Sequence, residues 1–133
     1  MKDKKFYRVI DANLNRAKEG LRVCEDTCRF VYDQRQWTNG LKTIRHQLTN
    51  AAAGLGIPKL VASRNIAGDV GKKTLNSELA RGKVDDIFYA NAQRVKESIR
   101  VLEEFTKLKD RRIAQDFKKL RYRMYALEKR ITA

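Results

Sequence analysis

DANLNRAKEGLRVCED, residues 11–26, lies without a gap over YANAQRVKESIRVLEE, residues 89–104, and eight of the sixteen positions are identical. The matches are Ala12/Ala90, Asn13/Asn91, Arg16/Arg94, Lys18/Lys96, Glu19/Glu97, Arg22/Arg100, Val23/Val101 and Glu25/Glu103. A second pair of segments extends the likeness. LKTIRHQLTNA, residues 41–51, lies over FKKLRYRMYAL, residues 117–127, with Lys42/Lys118 and Arg45/Arg121 matched and similar apolar spacing. The repeated unit is therefore a helical hairpin, covering 7–53 and again 85–131, with a linker over 54–84. One amphipathic hairpin cannot bury its apolar side alone, whereas two facing hairpins close a core. The expected fold is all-α: a four-helix bundle built from two repeated helical hairpins with a long irregular central linker, in a single helical domain, 1–133. Exchange of helices in a homodimer is the alternative arrangement.

The apolar positions support this. Leu14, Ala17, Leu21, Cys24, Cys28 and Val31 recur in steps of three and four, which predicts a first helix over about 6–33. Asp11 offers another start, as the cap of a helix beginning at Ala12. Trp37, Leu41, Ile44, Leu48 and Ala51 predict a second helix over about 36–53. Gly54 is expected in the left-handed position that ends it, with Pro58 blocking simple continuation. Residues 60–77 are the least regular, and a short helix over about 77–82 is expected behind Asn76 as its cap. Phe88, Ala92, Val95, Ile99 and Leu102 define a third helix over about 84–107. Ile113, Phe117, Leu120, Met124, Leu127 and Ile131 define a fourth, from near Asp110 to about 131. Met124 and the aromatic residues among these read as core.

Thirty Lys and Arg stand against sixteen Asp and Glu in 133 residues, a formal charge of +14. Such a surface attracts phosphate-bearing partners, whether nucleic acid or small anions, and a plain solvated basic face is the alternative. Cys24 and Cys28 sit four apart with no second pair, so they suit small core positions in a reducing compartment better than a zinc site or a disulfide. No stretch is long and apolar enough for a signal peptide or a membrane helix, so a cytoplasmic protein is expected. His46 is the single histidine and reads as structural or surface. Basic residues are distributed around the fourth helix beside Tyr122 and Tyr125, without the single seam of a groove reader.

Core packing explains the repeated apolar stripe but not the repeated polar flank. Asn13, Arg16 and Glu19 adjoin the stripe in the first copy, and Asn91, Arg94 and Glu97 in the second. Partly buried groups of this kind need partners. In the structural reading Arg16 and Glu19 pair with each other or across the hairpins and set register. In the functional reading the two copies surround one cleft, where Arg grips a phosphate and Asn orients a ring or hydroxyl. Lys18, Arg22, Lys96 and Arg100 are expected to form surface ion pairs with Glu25 and Glu103. In the linker, SRNIAGDVG combines Arg64 and Lys72 with Gly68 and Gly71, which permit close backbone approach to an anion. Asp69 lies between the glycines as a candidate base or magnesium anchor; otherwise it closes a turn on its own backbone. Neither a Walker A run nor a GxGxxG loop is present.

DANLNRAKEGLRVCED, RNIAGDVG and ANAQRVKESIRVLEEFTK, in this order, resemble the helical domain often joined to the N-terminus of thiamine-phosphate synthase, proposed as an alternative hydroxymethylpyrimidine-phosphate kinase. The resemblance runs from about Tyr7 to Leu127. It implies a thiamine-pathway protein that transfers a phosphoryl group from ATP, with magnesium, to hydroxymethylpyrimidine phosphate, or that binds such phosphorylated pyrimidines for a partner synthase. Arg16, Arg64 and Arg94 would then contact phosphate, with Gly68, Gly71 and Lys72 lining the loop. Asn13 and Asn91 would hold the pyrimidine or a hydroxyl. Asp69 would be the magnesium-binding or hydroxyl-orienting carboxylate, with Glu97 or Glu19 in support. The chain departs from the family pattern at Asn65-Ile66, where Asp-Thr is usual, and at Lys72, where Thr is usual. A barrel of alternating strands and helices has no place in this sequence, so a complete thiamine-phosphate synthase is not expected. A module that binds RNA or a protein partner is the alternative.

Overall fold

The computed structural model describes all 133 residues and contains helices only. Four are long: α1 (Asp3–Asp26), α2 (Arg35–Ala53), α5 (Val84–Thr106) and α6 (Arg111–Thr132). Two are short: α3 (Ile57–Ala62) and α4 (Asn76–Leu79). A π-helical turn over Thr27–Val31 continues α1.

The long helices pack in a ring in which α1 meets α2 and α5, and α6 meets the same two. One apolar cluster of 22 buried residues draws on all four. Phe6, Leu21, Leu48, Phe88, Ile99, Phe117 and Met124 are among its fully buried members. α1 and α5 run antiparallel: Cys24 Sγ lies 3.7 Å from the Phe88 carbonyl, while Lys109, just beyond α5, pairs with Asp3. Their approach is close at Gly20. A Cβ there would stand 2.8 Å from Val95 Cγ2 and 3.1 Å from the Asn91 carbonyl oxygen.

The expected helix ends need correction at three places. α1 begins at Asp3, because Phe6 and Ile10 extend the apolar stripe back by two turns from Leu14. Asp11 is consequently mid-helix and buried, not a cap. Gly54 remains right-handed, at φ −65°; Gly56 makes the left-handed turn, at φ 89°. Pro58 then occupies the first turn of α3, where its missing N–H costs nothing. In the second half of the linker, Leu75 precedes α4 and Asn76 is its first residue, with no side-chain cap.

α6 starts as its sequence suggests. Asp110 accepts hydrogen bonds from the backbone N–H groups of Arg112 (2.9 Å) and Ile113 (3.1 Å). At α5, Asp86 accepts from the N–H groups of Gly82 and Lys83, which fixes the linker's exit.

Candidate functional site

Arg64 ties the linker to the bundle by side-chain hydrogen bonds, beyond the packing of Leu55 and Leu60 in the core. Ser63, the residue that follows α3, is buried, and the next residue is directed back onto α1. Its guanidinium forms a fork with Asp11: Nε to Oδ2 at 2.6 Å and Nη2 to Oδ1 at 2.9 Å. Asn15 also donates to Asp11 Oδ1, at 3.2 Å. The Asp11 carboxylate raises the Arg64 pKa above its usual value through the hydrogen bond and its charge, so Arg64 stays cationic. Nη1 of Arg64 makes no hydrogen bond within the chain, and the side chain is 43% exposed. A charge-fixed, half-exposed guanidinium with a free edge can receive an oxyanion.

Asn13 and Arg16 lie on the same helix as Asp11. Asn13 is buried; its Nδ2 donates to the Val9 carbonyl at 2.9 Å and its Oδ1 accepts from Arg16 at 3.4 Å. Asn91 makes the corresponding bond on α5, donating to Ile87 O at 2.8 Å. Each amide therefore spends one N–H on the preceding turn of its own helix and keeps the other. Arg16, Glu19, Arg94 and Glu97 are exposed, and no ion pair joins Arg16 to Glu19.

The linker loop is exposed from Arg64 to Val84. Its hydrogen bonds near the glycines are local: Asn65 Oδ1 accepts from Gly68 N–H and Asp69 Oδ1 from Gly71 N–H, both at 2.9 Å. Thus Arg64 joins Asp11 and Asn15 in one node, while Asn13 and Arg16 form a separate pair on another flank of α1. Gly68, Asp69, Gly71 and Lys72 touch no residue of that node through a hydrogen bond, nor do Asn91, Arg94 and Glu97. None of these residues lines any of the three principal clefts. The node is open to solvent at Arg64.

No group of three or more His, Cys, Asp or Glu side chains converges anywhere in the molecule. Asp69 is the single carboxylate in the glycine loop, and one of its oxygens is already engaged. These residues do not build a resident magnesium site; a magnesium ion would have to arrive on nucleotide phosphates, which supply most of its ligands.

The expected surface pairs of Glu25 and Glu103 are a correction of another kind. Both carboxylates are 3% exposed. Glu25 holds Arg22 at 3.1 Å and Arg45 at 3.0 Å, so it ties α1 to α2. Glu103 holds Arg100 at 3.3 Å and Arg121 at 3.2 Å, tying α5 to α6. The sequence did contain a signal for this: Arg45/Arg121 match along with Glu25/Glu103. Lys96 pairs with Glu128 at 2.8 Å, also between α5 and α6. Cys24 and Cys28 are buried, and burial pushes their thiols up to about 12 and about 11, which makes them inert core residues. His46 is exposed.

The fold and its charged node define a basic, all-helical domain with a linker pinned across one face. The chain belongs to the ThiD2 family, whose model matches residues 8–130. Relatives include proteins named thiamine-phosphate synthase from Nostoc punctiforme and Synechocystis, 42% identical over 123 residues and 43% over 122. The match takes in 92% and 91% of this chain but 34% of each of those proteins. A thiamine-phosphate synthase from Rhodopirellula baltica is 38% identical over 120 residues, 32% of its length. The chain therefore spans about a third of the curated relatives it matches. The association is with thiamine-biosynthesis proteins. No solved structure matches the chain.

Proposed function

We propose that this domain binds hydroxymethylpyrimidine phosphate at the Arg64 node and transfers to it the terminal phosphoryl group of magnesium-ATP. The observation that carries the reading is the Asp11–Arg64 fork. It sets a permanently charged guanidinium beside Asp11 and Asn15, on the face of α1 that receives the linker. Arg64 takes the substrate phosphate. Asn13 and Arg16, on the other flank of α1, serve the nucleotide. In the transfer, an oxygen of the bound phosphate attacks the terminal phosphorus, and the bond to the bridging oxygen of the departing ADP breaks. Arginine charge near the transferring group lowers the barrier by positioning and neutralisation. Asp69 and Lys72 act by closing the glycine loop, Gly68 to Gly71, over that nucleotide. Asn91, Arg94 and Glu97, with Glu19, form the matching flank and take the nucleotide side.

Two features support a duplicated origin for the hairpins as part of this reading. The Arg22–Glu25–Arg45 and Arg100–Glu103–Arg121 sets are alike, and so are the backbone bonds of Asn13 and Asn91. Because the relatives are about three times longer and carry the synthase name, the product's natural receiver is a synthase, joined or separate.

A coupled assay with hydroxymethylpyrimidine phosphate, with and without magnesium-ATP, tests the proposal. Turnover that disappears in Asp69→Asn, with helical content unchanged, supports it. Substrate binding without turnover reduces the domain to a carrier. Salt-sensitive RNA binding that survives loss of Asn13, Asp69 and Glu97, with no binding of the pyrimidine, replaces it by a basic RNA-binding module.

A further inference from the structure

The largest of the three principal clefts, 580 Å³, lies away from the Arg64 node. It is formed by the end of α1, the π turn and the first turns of α2, and no hydrophobic residue lines it. Five cationic side chains face two carboxylates there. One carboxylate, the buried Glu25, is already shared by Arg22 and Arg45. Arg35 and Lys42 have no hydrogen-bond or ion-pair partner, and Arg29 only overlies the ring of Phe30 at 4.7 Å. Three free cations from two successive segments, the π turn and α2, thus converge on one hollow, opposed by the single free carboxylate of Asp33.

The other end of the pair of hairpins carries comparable cations but sets more carboxylate beside them. At the register that matches Arg45 with Arg121, Arg35 aligns with Arg111, Lys42 with Lys118 and Gln34 with Asp110. Asp110 caps α6, whereas Gln34 gives α2 no side-chain cap. At the register that matches Glu25 with Glu103, Arg29 aligns with Lys107 and Asp26 with Glu104. Glu104 binds Arg100 and Lys107, each at 2.9 Å. Asp26 makes no such pair. A capping carboxylate is among the cheaper ways to stabilise a helix, and one is missing where the cations cluster. The same substitutions that would quiet this cleft are present at the opposite end.

We propose that the cleft binds a small anion of the diphosphate class. The free cations are spread over the π turn and two turns of α2, which suits two linked phosphates better than one. Arginine forks match phosphate oxygens, and the free N–H groups at the start of α2 add donors. No aromatic face lines the cleft, so it lacks the stacking platform that single-stranded nucleic acid uses. This inference is independent of the Arg64 reading, and its failure leaves that reading untouched.

Calorimetric titration of the whole chain with inorganic pyrophosphate, at fixed ionic strength, tests it. Arg35→Ala with Lys42→Ala should weaken binding about tenfold or more, since two charge-assisted contacts are lost. Arg111→Ala with Lys118→Ala removes equal charge and should stay within about twofold of the parent. Gln34→Asp should raise the melting temperature by capping α2 and weaken pyrophosphate binding at the same time. Equal losses in both double variants, full binding in Gln34→Asp, or no binding by the parent overturns the proposal. Displacement of pyrophosphate by a short oligouridine that binds more tightly through Arg35 and Lys42 overturns it in favour of nucleic acid.

Discussion

Glu25 and Glu103 show how one residue can be misread from sequence. Each stands beside an arginine three positions away, a spacing that usually marks a solvated surface pair. Burial to 3% exposure makes each the fixed centre of a contact between two helices instead. Their partners came from a separate helix, at Arg45 and Arg121, and only the joint repetition of carboxylate and arginine hinted at it. Glu103→Gln leaves Arg121, only 12% exposed at its side chain, without its charge partner. It should lower stability by about 2 kcal/mol in urea unfolding. The buried thiols give a pH-dependent expectation. Burial, aided for Cys24 by neighbouring Cys28, raises both folded pKa values above the ordinary 9.0. The thiol form is therefore favoured by folding, and the resulting stability is complete below pH 9. It is lost as pH rises through about 11 for Cys28 and about 12 for Cys24. Native protein at neutral pH should resist iodoacetamide, and unfolding in urea should release two reactive thiols.

At the level of elements, the four long helices were legible because their apolar residues keep three-and-four spacing for several turns. α1 was read short by a turn at its start because Phe6 and Ile10 are embedded among lysines and an arginine. The π turn at Thr27–Val31 was not legible, since one widened turn leaves Cys28 and Val31 on a plausible stripe. Val31 is in fact exposed, which shows where the stripe leaves the core. α3 was missed because Pro58 signals both a stop and a first turn, and only Gly56's left-handed backbone decides between them. The α1–α5 contact depends on the absence of a side chain at Gly20. Gly20→Val would place new carbons against the Asn91 carbonyl, which is backbone and cannot swing aside. It should cost about 2 kcal/mol in spite of the better helix propensity, measured as a lower urea midpoint. Asp110→Ala removes the α6 cap and should cost about 1 kcal/mol by the same measurement.

For the whole molecule, one core made from four helices means that the linker's continuity is not what joins the halves. Trypsin should cut first at Lys72, Lys73 or Arg81, all exposed, while the nicked halves remain associated through α1 with α5 and α2 with α6. Separation of the halves on gel filtration in native buffer would contradict that arrangement. The candidate site was legible only in pieces. Asn13, Arg16 and Arg64 stood out from the repeat and the glycine-flanked loop. The anchoring of Arg64 on Asp11 did not, because the Asp11–Arg64 bond spans 53 positions and no local pattern encodes it. The matching flank at Asn91 and Arg94 repeats in sequence without making a hydrogen bond to that node. The functional claim is thus concentrated in one place, and an amide-resolved NMR titration of the chain with hydroxymethylpyrimidine phosphate addresses it most directly. The account predicts saturable shifts centred on the amides of Asp11 to Arg16 and Ser63 to Lys72, lost in Arg64→Ala while the rest of the spectrum is retained. Shifts confined to other faces of the bundle, or unchanged affinity in Arg64→Ala, would contradict it.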